Sequence, residues 1–116
     1  MEIERYELIY KNDKSKSHIR LLGEEFFQRN KTFGNFIYKN KKFRLLEKIE
    51  TKNIKEDELK FDIIFYKIIY NKSYMFENCE TLLKISEFNK EEKQNYSQII
   101  NIYEEEESLF DYINGI

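Results

Sequence analysis

The chain has 116 residues, 41% of them hydrophobic and 36% charged, and carries a formal net charge of −2 at pH 7. This length suits a single domain, and the composition is too apolar for intrinsic disorder and too polar for a membrane protein. The longest nearly uncharged apolar stretch, residues 63–70, is far shorter than the roughly 20 residues that a membrane-spanning helix needs.

The N-terminus and the single cysteine predict a cytoplasmic protein. Residues 1–5 carry acidic side chains and lack the apolar core of a secretory signal. Cys79 is the only cysteine, so no disulfide can form within the chain, and this suits a reducing compartment. We therefore expect a cytoplasmic location and no membrane partner.

Two short alternating segments near the N-terminus predict a first β-hairpin. Residues 5–10 place Tyr6, Leu8 and Tyr10 on one face, and residues 18–21 alternate in the same way. The polar residues between them are typical of a hairpin loop. A short helix is predicted over residues 24–30, because its two glutamates stand at the N-terminal end, where the helix dipole favours negative charge.

A second hairpin and a central strand are predicted next. Residues 36–39 and 42–45 flank Asn40-Lys41, and asparagine tolerates the positive φ that a two-residue turn requires. After a charged connector, residues 59–65 alternate and then become apolar on both faces from Ile63 onward. A strand that is apolar on both faces is expected in the middle of a sheet.

The C-terminal part predicts two helices. Met75, Cys79, Leu82 and Leu83 have the spacing of one helical face, which predicts a short helix within residues 71–88. Asn89 with Glu92 resembles a capping box, and it begins a predicted amphipathic helix over residues 90–113.

The expected fold is therefore α+β. Two β-hairpins and a central strand form a small antiparallel sheet, which is packed by a short helix and a C-terminal amphipathic helix. Residues 1–116 form a single domain, mainly β in residues 1–70, with the short helix in residues 71–88 and the acidic amphipathic helix in residues 89–116.

Residues 19–26 (Ile-Arg-Leu-Leu-Gly-Glu-Glu-Phe) are followed by Asn30-Lys31 and by the turn at residues 40–42 (Asn-Lys-Lys). In these segments the chain resembles the leader segment of protist BspA-like leucine-rich-repeat proteins. Residues 71–83, with Met75-Phe76 and then Cys79, are similar to one copy of the repeat. The similarity covers about residues 17–89.

The chain also departs from that family. Residues 85–89 lack the proline of the repeat and have Phe88 where the repeat has tryptophan, and no second repeat follows. A solenoid needs about three stacked repeats to bury its faces. The resemblance therefore implies a leader-like β module capped by one repeat-like helix, and it implies protein binding in general.

Catalytic, cofactor and metal sites are not predicted. His18 is the only histidine, so a zinc-binding cluster of cysteine and histidine is not expected, and His18 is expected to be solvated. Cys79 lies on an apolar face and is expected to behave as a small buried hydrophobe. The three glycines match neither a dinucleotide-binding nor a P-loop motif.

A basic stretch between residues 26 and 44 is a candidate nucleic-acid site. Its cations are interleaved with aromatic residues, as in surfaces that track a phosphate backbone. Alternation argues against this reading, because it turns Phe36, Tyr38 and Phe43 towards the core and the cations towards water. We favour a solvated face and keep nucleic-acid contact as the alternative, through Arg29, Lys31, Lys39, Lys41, Lys42 and Arg44.

An acidic run near the C-terminus is the candidate partner-binding site. Residues 1–72 carry 17 basic and 12 acidic side chains, whereas residues 73–116 carry 3 basic and 10 acidic ones. Negative charge in the last part of a helix opposes the helix dipole, which is tolerable if a basic partner compensates for it. The candidate residues are Glu104, Glu105, Glu106, Glu107 and Asp111, and the alternative is an ordinary solvated helix end.

The leading functional hypothesis is a small non-enzymatic protein-binding module. It would dock on a basic surface of a larger protein or nucleoprotein, as a phage- or plasmid-type inhibitor of the anti-CRISPR kind does. One alternative is a structural interaction module of the BspA-like kind. Another is an RNA- or DNA-binding protein that uses the basic stretch. The oligomeric state is left open.

Overall fold

A computed structural model describes residues 1–87 and 109–114 of the chain. These residues form β1 (Glu4–Lys11), β2 (His18–Arg20), α1 (Glu24–Asn30), β3 (Gly34–Tyr38), β4 (Lys41–Arg44), β5 (Lys48–Glu50), β6 (Glu58–Phe65), β7 (Leu82–Glu87) and α2 (Leu109–Asn114). The expected α+β class is confirmed, with a mostly antiparallel sheet. Neither helix of the described residues is long and apolar enough to cross a membrane.

The main sheet has five strands in the order β4-β3-β6-β1-β7, and every neighbouring pair is antiparallel. The predicted central strand is confirmed as β6, which is the third of the five. Ile63, Ile64 and Phe65 are all buried, as the apolar pattern on both faces requires. Strands β2 and β5 form a separate two-stranded ribbon.

The second hairpin is confirmed as β3–β4, with its turn one residue earlier than predicted. Phe36 pairs with Phe43, and Tyr38 pairs with Lys41. This register brings both phenylalanines to the core and leaves Lys39 and Asn40 as the turn, at φ angles of 50° and 66°. Two central residues with positive φ match the right-handed twist of the flanking strands.

The first predicted hairpin is wrong. Strand β1 pairs with β6 and β7, and β2 pairs with β5. The loop that was expected to return the chain into a hairpin instead leads it away from the sheet. The side-chain amide of Asn12 is buried and donates hydrogen bonds to the carbonyls of Ile54 and Glu56 at 3.1 and 2.9 Å. Strand β1 is thereby free to bury both of its edges between other strands.

The helix predicted within residues 71–88 is also wrong. Residues 72–82 make a succession of turns with hydrogen bonds from residue i to i−3, and β7 follows as a strand against β1. Met75 and Cys79 are buried, whereas Leu83 is 55% exposed, so the apolar residues at helical spacing do not share one buried face. Tyr74 and Asn78 have positive φ, a conformation that interrupts a right-handed helix.

One face of the main sheet forms the core. The buried cluster joins Leu8, Phe36 and Phe61 of the sheet to side chains of α1, of the β2–β5 ribbon and of α2. Leu109 of α2 is fully buried, and the Tyr112 ring lies 5.1 Å from the Phe43 ring. Such aromatic contacts add about 0.5–1.5 kcal/mol each beyond their buried area, so α2 is packed against the β3–β4 hairpin.

The opposite face of the sheet buries a charged pair. Arg5 of β1 donates to the Asp62 carboxylate of β6 at 2.7 Å, and it also pairs with Glu2 at 3.0 Å. Burial raises the pKa of Asp62 to about 6, and the neighbouring guanidinium offsets only part of this increase. The pair fixes β1 against β6 through side chains as well as through the backbone.

Candidate interaction site

The single histidine and the single cysteine of the chain lie in different environments. His18 is exposed, with Nε2 at 3.6 Å from Glu50 and Nδ1 at 3.0 Å from the Ser17 hydroxyl. Cys79 is buried, and this burial raises the pKa of its thiol to about 12. Within residues 1–87 and 109–114, His, Cys, Asp and Glu side chains form no cluster that could hold a metal ion.

The structure distributes the basic candidates over several elements. Phe36, Tyr38 and Phe43 are buried, as alternation predicted. Arg29 on α1 pairs with Glu25 at 2.6 Å, and Lys31 follows the helix as an exposed residue.

The other four cations belong to the β3–β4 hairpin. Lys39 pairs with Glu56 at 3.0 Å, and the Lys41 ammonium lies 4.8 Å from the centre of the Tyr112 ring. Lys42 is half-buried and Arg44 is exposed. The six cations therefore do not share one row of a single strand or helix.

The acidic candidates Glu104, Glu105, Glu106 and Glu107 lie outside the described residues. Asp111 lies within helix α2. The acidic run therefore stays a prediction from the sequence.

A surface that the sequence reasoning missed lies after the end of β6. We call residues 66–74 the tyrosine segment. Four of its large side chains are exposed, with relative exposures of 36% for Tyr66, 51% for Ile68, 91% for Tyr70 and 58% for Tyr74. Exposed apolar side chains are common singly, but a group of four on one segment marks a candidate interaction surface.

Gly23 brings the tyrosine segment against the beginning of α1. Its N–H donates to the Met75 carbonyl at 2.8 Å, and a Cβ atom at this position would lie 2.0 Å from the Tyr74 carbonyl oxygen. Only a residue without a Cβ allows this approach of two backbones. Helix α1 and the tyrosine segment consequently form two walls with a space between them.

That space is a groove of about 210 Å³, lined by α1 on one side and by the tyrosine segment on the other. Phe26 and Ile69 line it and are only 3% and 4% exposed. The rim carries both signs of charge, since it includes the Arg29–Glu25 pair and Lys67. The Lys67 ammonium is 3.6 Å from the centre of the Phe33 ring, a distance typical of a cation–π contact.

Glu4 holds the tyrosine segment in place from β1. Its carboxylate accepts a hydrogen bond from the Ile69 N–H at 3.0 Å and forms an ion pair with the Lys72 ammonium at 2.9 Å. Burial raises the pKa of Glu4, but the hydrogen bonds from Tyr6, Ile69 and Lys72 outweigh this, so the pKa is lowered overall. Glu4 therefore stays ionised at neutral pH and fixes the middle of the segment.

Backbone hydrogen bonds hold the two ends of the segment. The Tyr66 N–H donates to the Phe33 carbonyl at 2.9 Å, and the Met75 N–H donates to the Lys72 carbonyl at 3.1 Å. The Ser73 N–H donates to the side chain of Asn71 at 3.0 Å, which forms a local turn. The exposed tyrosines are thus presented on a braced backbone.

One sequence signal for this surface exists. Tyr66, Ile68 and Tyr70 occur at a spacing of two, which predicts that they share one side of an extended segment. The spacing cannot say whether that side meets the core or the solvent. This depends on β6 ending at Phe65, beyond which the segment leaves the sheet.

Together these features define a small α+β protein with a five-stranded, mostly antiparallel sheet and a tyrosine-rich groove beside α1. Comparison of the chain with family models, curated proteins and solved structures finds no match. Its function must therefore be inferred from the geometry, and the BspA-like resemblance stays a prediction.

Proposed function

We propose that this protein is a non-enzymatic binding module that docks on another protein through the groove between α1 and the tyrosine segment. The observation that carries this proposal is the exposure of Ile68, Tyr70 and Tyr74, which line the groove on one braced segment. A partner that covers these side chains removes a large apolar area from water without any rearrangement of the core.

The composition of the groove supports this role. Tyrosine and arginine are the residue types enriched at binding hot spots, together with tryptophan, and the groove presents Tyr70, Tyr74 and Arg29 around it. Each tyrosine provides an apolar ring and a hydroxyl that can form a hydrogen bond at an interface. Loss of one well-buried hot-spot residue typically costs about 2 kcal/mol or more of binding free energy.

The bracing of the segment also supports binding. Ordering a loop at an interface reduces affinity, and a loop that is already ordered avoids this cost. The Glu4 carboxylate and the hydrogen bonds to Phe33 and Lys72 provide that order before a partner arrives. The surface is therefore suited to rigid docking.

The non-enzymatic part of the proposal is supported by the state of Cys79. A cysteine nucleophile acts as the thiolate, and a thiol whose pKa is raised to about 12 by burial stays protonated at neutral pH. Cys79 is therefore placed as a buried side chain of the core, an environment that does not favour a nucleophile.

A second candidate function is docking on a basic surface through the acidic run at residues 104–107. It is favoured by the charge distribution of the sequence, with 10 acidic and 3 basic side chains in residues 73–116. A protein that docks in this way could act as an inhibitor of the phage or plasmid type. It uses a different surface, so substitutions can separate it from docking through the groove.

Site-specific photo-crosslinking in the cells that make the protein tests the proposal. A photoreactive phenylalanine analogue is placed at Tyr70 in one variant and at Lys60 in a control variant, both at exposed positions. We expect a defined covalent adduct with one protein from position 70 and none from position 60.

A second substitution shows whether the adduct depends on the groove. Adding Tyr74→Ser to the position-70 variant is expected to reduce the adduct at least tenfold without changing the melting temperature by more than a few degrees. Equal adducts at both positions, or an adduct that Tyr74→Ser leaves unchanged, would refute docking through the groove.

A further inference from the structure

Strand β7 lies at the edge of the main sheet, with β1 as its neighbour. It is largely exposed, and two of its three apolar residues, Leu83 and Ile85, are 55% and 49% exposed. Ile85 pairs with Leu8, which is fully buried. Since paired residues share a face of the sheet, Ile85 lies on the core face, at its open margin.

The hydrogen-bond pattern shows which backbone groups of β7 point away from β1. The Lys11 N–H donates to the Thr81 carbonyl, and the Asn12 N–H donates to the Asp57 carbonyl, both at 2.8 Å. Backbone groups alternate in direction along a strand. The odd-numbered residues of β1 therefore bond towards β7, and the even-numbered ones towards β6.

Glu7 and Ile9 consequently bond with their partners Ser86 and Lys84. The N–H and C=O groups of Ile85 must then point out of the sheet, as must those of Glu87. No hydrogen bond joins these outward groups to another residue in the described part of the chain. An exposed edge of this kind is a template for pairing with another strand.

This edge is complementary to itself. In a two-fold antiparallel pair centred on Ile85, outward backbone groups meet outward groups, and the two Ile85 side chains meet on the core face. Lys84 then lies opposite Ser86 of the second copy and Leu83 opposite Glu87, so no like charges face each other. Centring the pair on Lys84 would oppose two ammonium groups, and centring it on Ser86 would separate the two Ile85 side chains.

We propose that β7 pairs with β7 of a second copy of this chain about a two-fold axis at Ile85, which joins two five-stranded sheets into one. The contact of a single strand from each copy buries less surface than the roughly 1,000 Å² that a stable interface buries. The dimer is therefore weak and depends on concentration. No residue of β7 lines the groove, so the dimer is independent of the proposed docking function.

Sedimentation equilibrium of the full chain tests this dimer. We expect the average mass to rise from 14.4 kDa towards twice that value as the concentration increases from about 10 μM to about 1 mM. Ile85→Lys and Ile85→Glu are each expected to keep the 14.4 kDa mass at the highest concentration, because each places two like charges opposite one another.

An equimolar mixture of the Ile85→Lys and Ile85→Glu variants is the decisive measurement. Opposite charges then meet at the axis, and the mixture is expected to dimerise where neither variant does so alone. The matched control is Ile68→Lys, since Ile68 has almost the same exposure as Ile85 and lies in the groove. This control is expected to dimerise like the wild type.

Three results would overturn the proposal. The first is a wild-type mass that stays at 14.4 kDa throughout the concentration range. The second is loss of the dimer in Ile68→Lys with retention in Ile85→Lys, which would assign self-association to the groove. The third is a mixture that stays monomeric while the variants melt like the wild type.

Discussion

The β3–β4 hairpin and the tyrosine segment both combine aromatic residues with lysines, yet they differ in solvent exposure. Phe36, Tyr38 and Phe43 of the hairpin are at most 5% exposed, whereas Tyr70 of the segment is 91% exposed. The hairpin is covered by α2, while the segment continues beyond the end of β6 and forms one wall of a groove. Similar composition therefore serves stability in one region and presents a surface in the other.

The largest effect is expected from two substitutions that each remove one aromatic ring. Phe43→Ala removes a fully buried ring and is expected to lower the free energy of unfolding by about 3–5 kcal/mol. Tyr70→Ala removes an exposed ring and is expected to change it by less than about 0.5 kcal/mol. Urea denaturation followed by circular dichroism measures both, and similar losses in the two variants would contradict the comparison.

A second test acts on the contact that forms the groove. Gly23→Ala places a Cβ atom against the Tyr74 carbonyl and is expected to lower the free energy of unfolding by about 1–3 kcal/mol. The φ of Gly23 is −60°, which alanine adopts without strain, so any loss reflects the contact itself. Crosslinking from Tyr70 should fall in the same variant. A protein that is as stable as the wild type would show that the two walls can separate freely.

A third test compares the groove with the acidic run. Replacing Glu104, Glu105, Glu106 and Glu107 by glutamine removes charge at nearly constant size. If the run docks on a basic partner, binding should weaken at least tenfold, about 1.4 kcal/mol, while thermal stability stays equal or rises. Isothermal calorimetry with the captured partner decides this, and unchanged affinity assigns binding to the groove alone.

The smallest expected effect concerns the brace of the tyrosine segment. The pKa of Glu4 is lowered in the folded protein, so the stability that it contributes is present above its ordinary value of 4.5 and is lost as the pH falls through the folded pKa. Glu4→Gln is expected to lower the free energy of unfolding by about 1 kcal/mol at pH 7.

Hydrogen exchange of the Ile69 amide reports on the same brace. In the wild type, protection of this amide should decrease on acidification. The Glu4→Gln variant should show low protection throughout. Equal protection in the two proteins at pH 7 would mean that other contacts hold the segment.

Local patterns in the sequence predicted those elements whose partners are nearby in the chain or whose position follows from apolarity alone. Helix α1, the β3–β4 hairpin and the central strand β6 are of this kind. The burial of Phe36, Tyr38 and Phe43 followed from alternation, because residues two apart in a strand share a face. Alternation did not settle the position of the turn, because the predicted register and the observed register both place Phe36, Tyr38 and Phe43 on the core face.

The pairing of β1 with β6 and β7, the strand β7 in place of a helix, and the groove were decided by the tertiary structure. Each depends on contacts between residues far apart in the chain, such as Gly23 with Tyr74 or Glu4 with Ile69. The amino-acid pattern specifies which side chains prefer to be buried, but not which distant surface covers them. For that reason the sequence alone determined the fold class and the central strand, whereas only the assembled sheet left the tyrosines and the edge of β7 exposed.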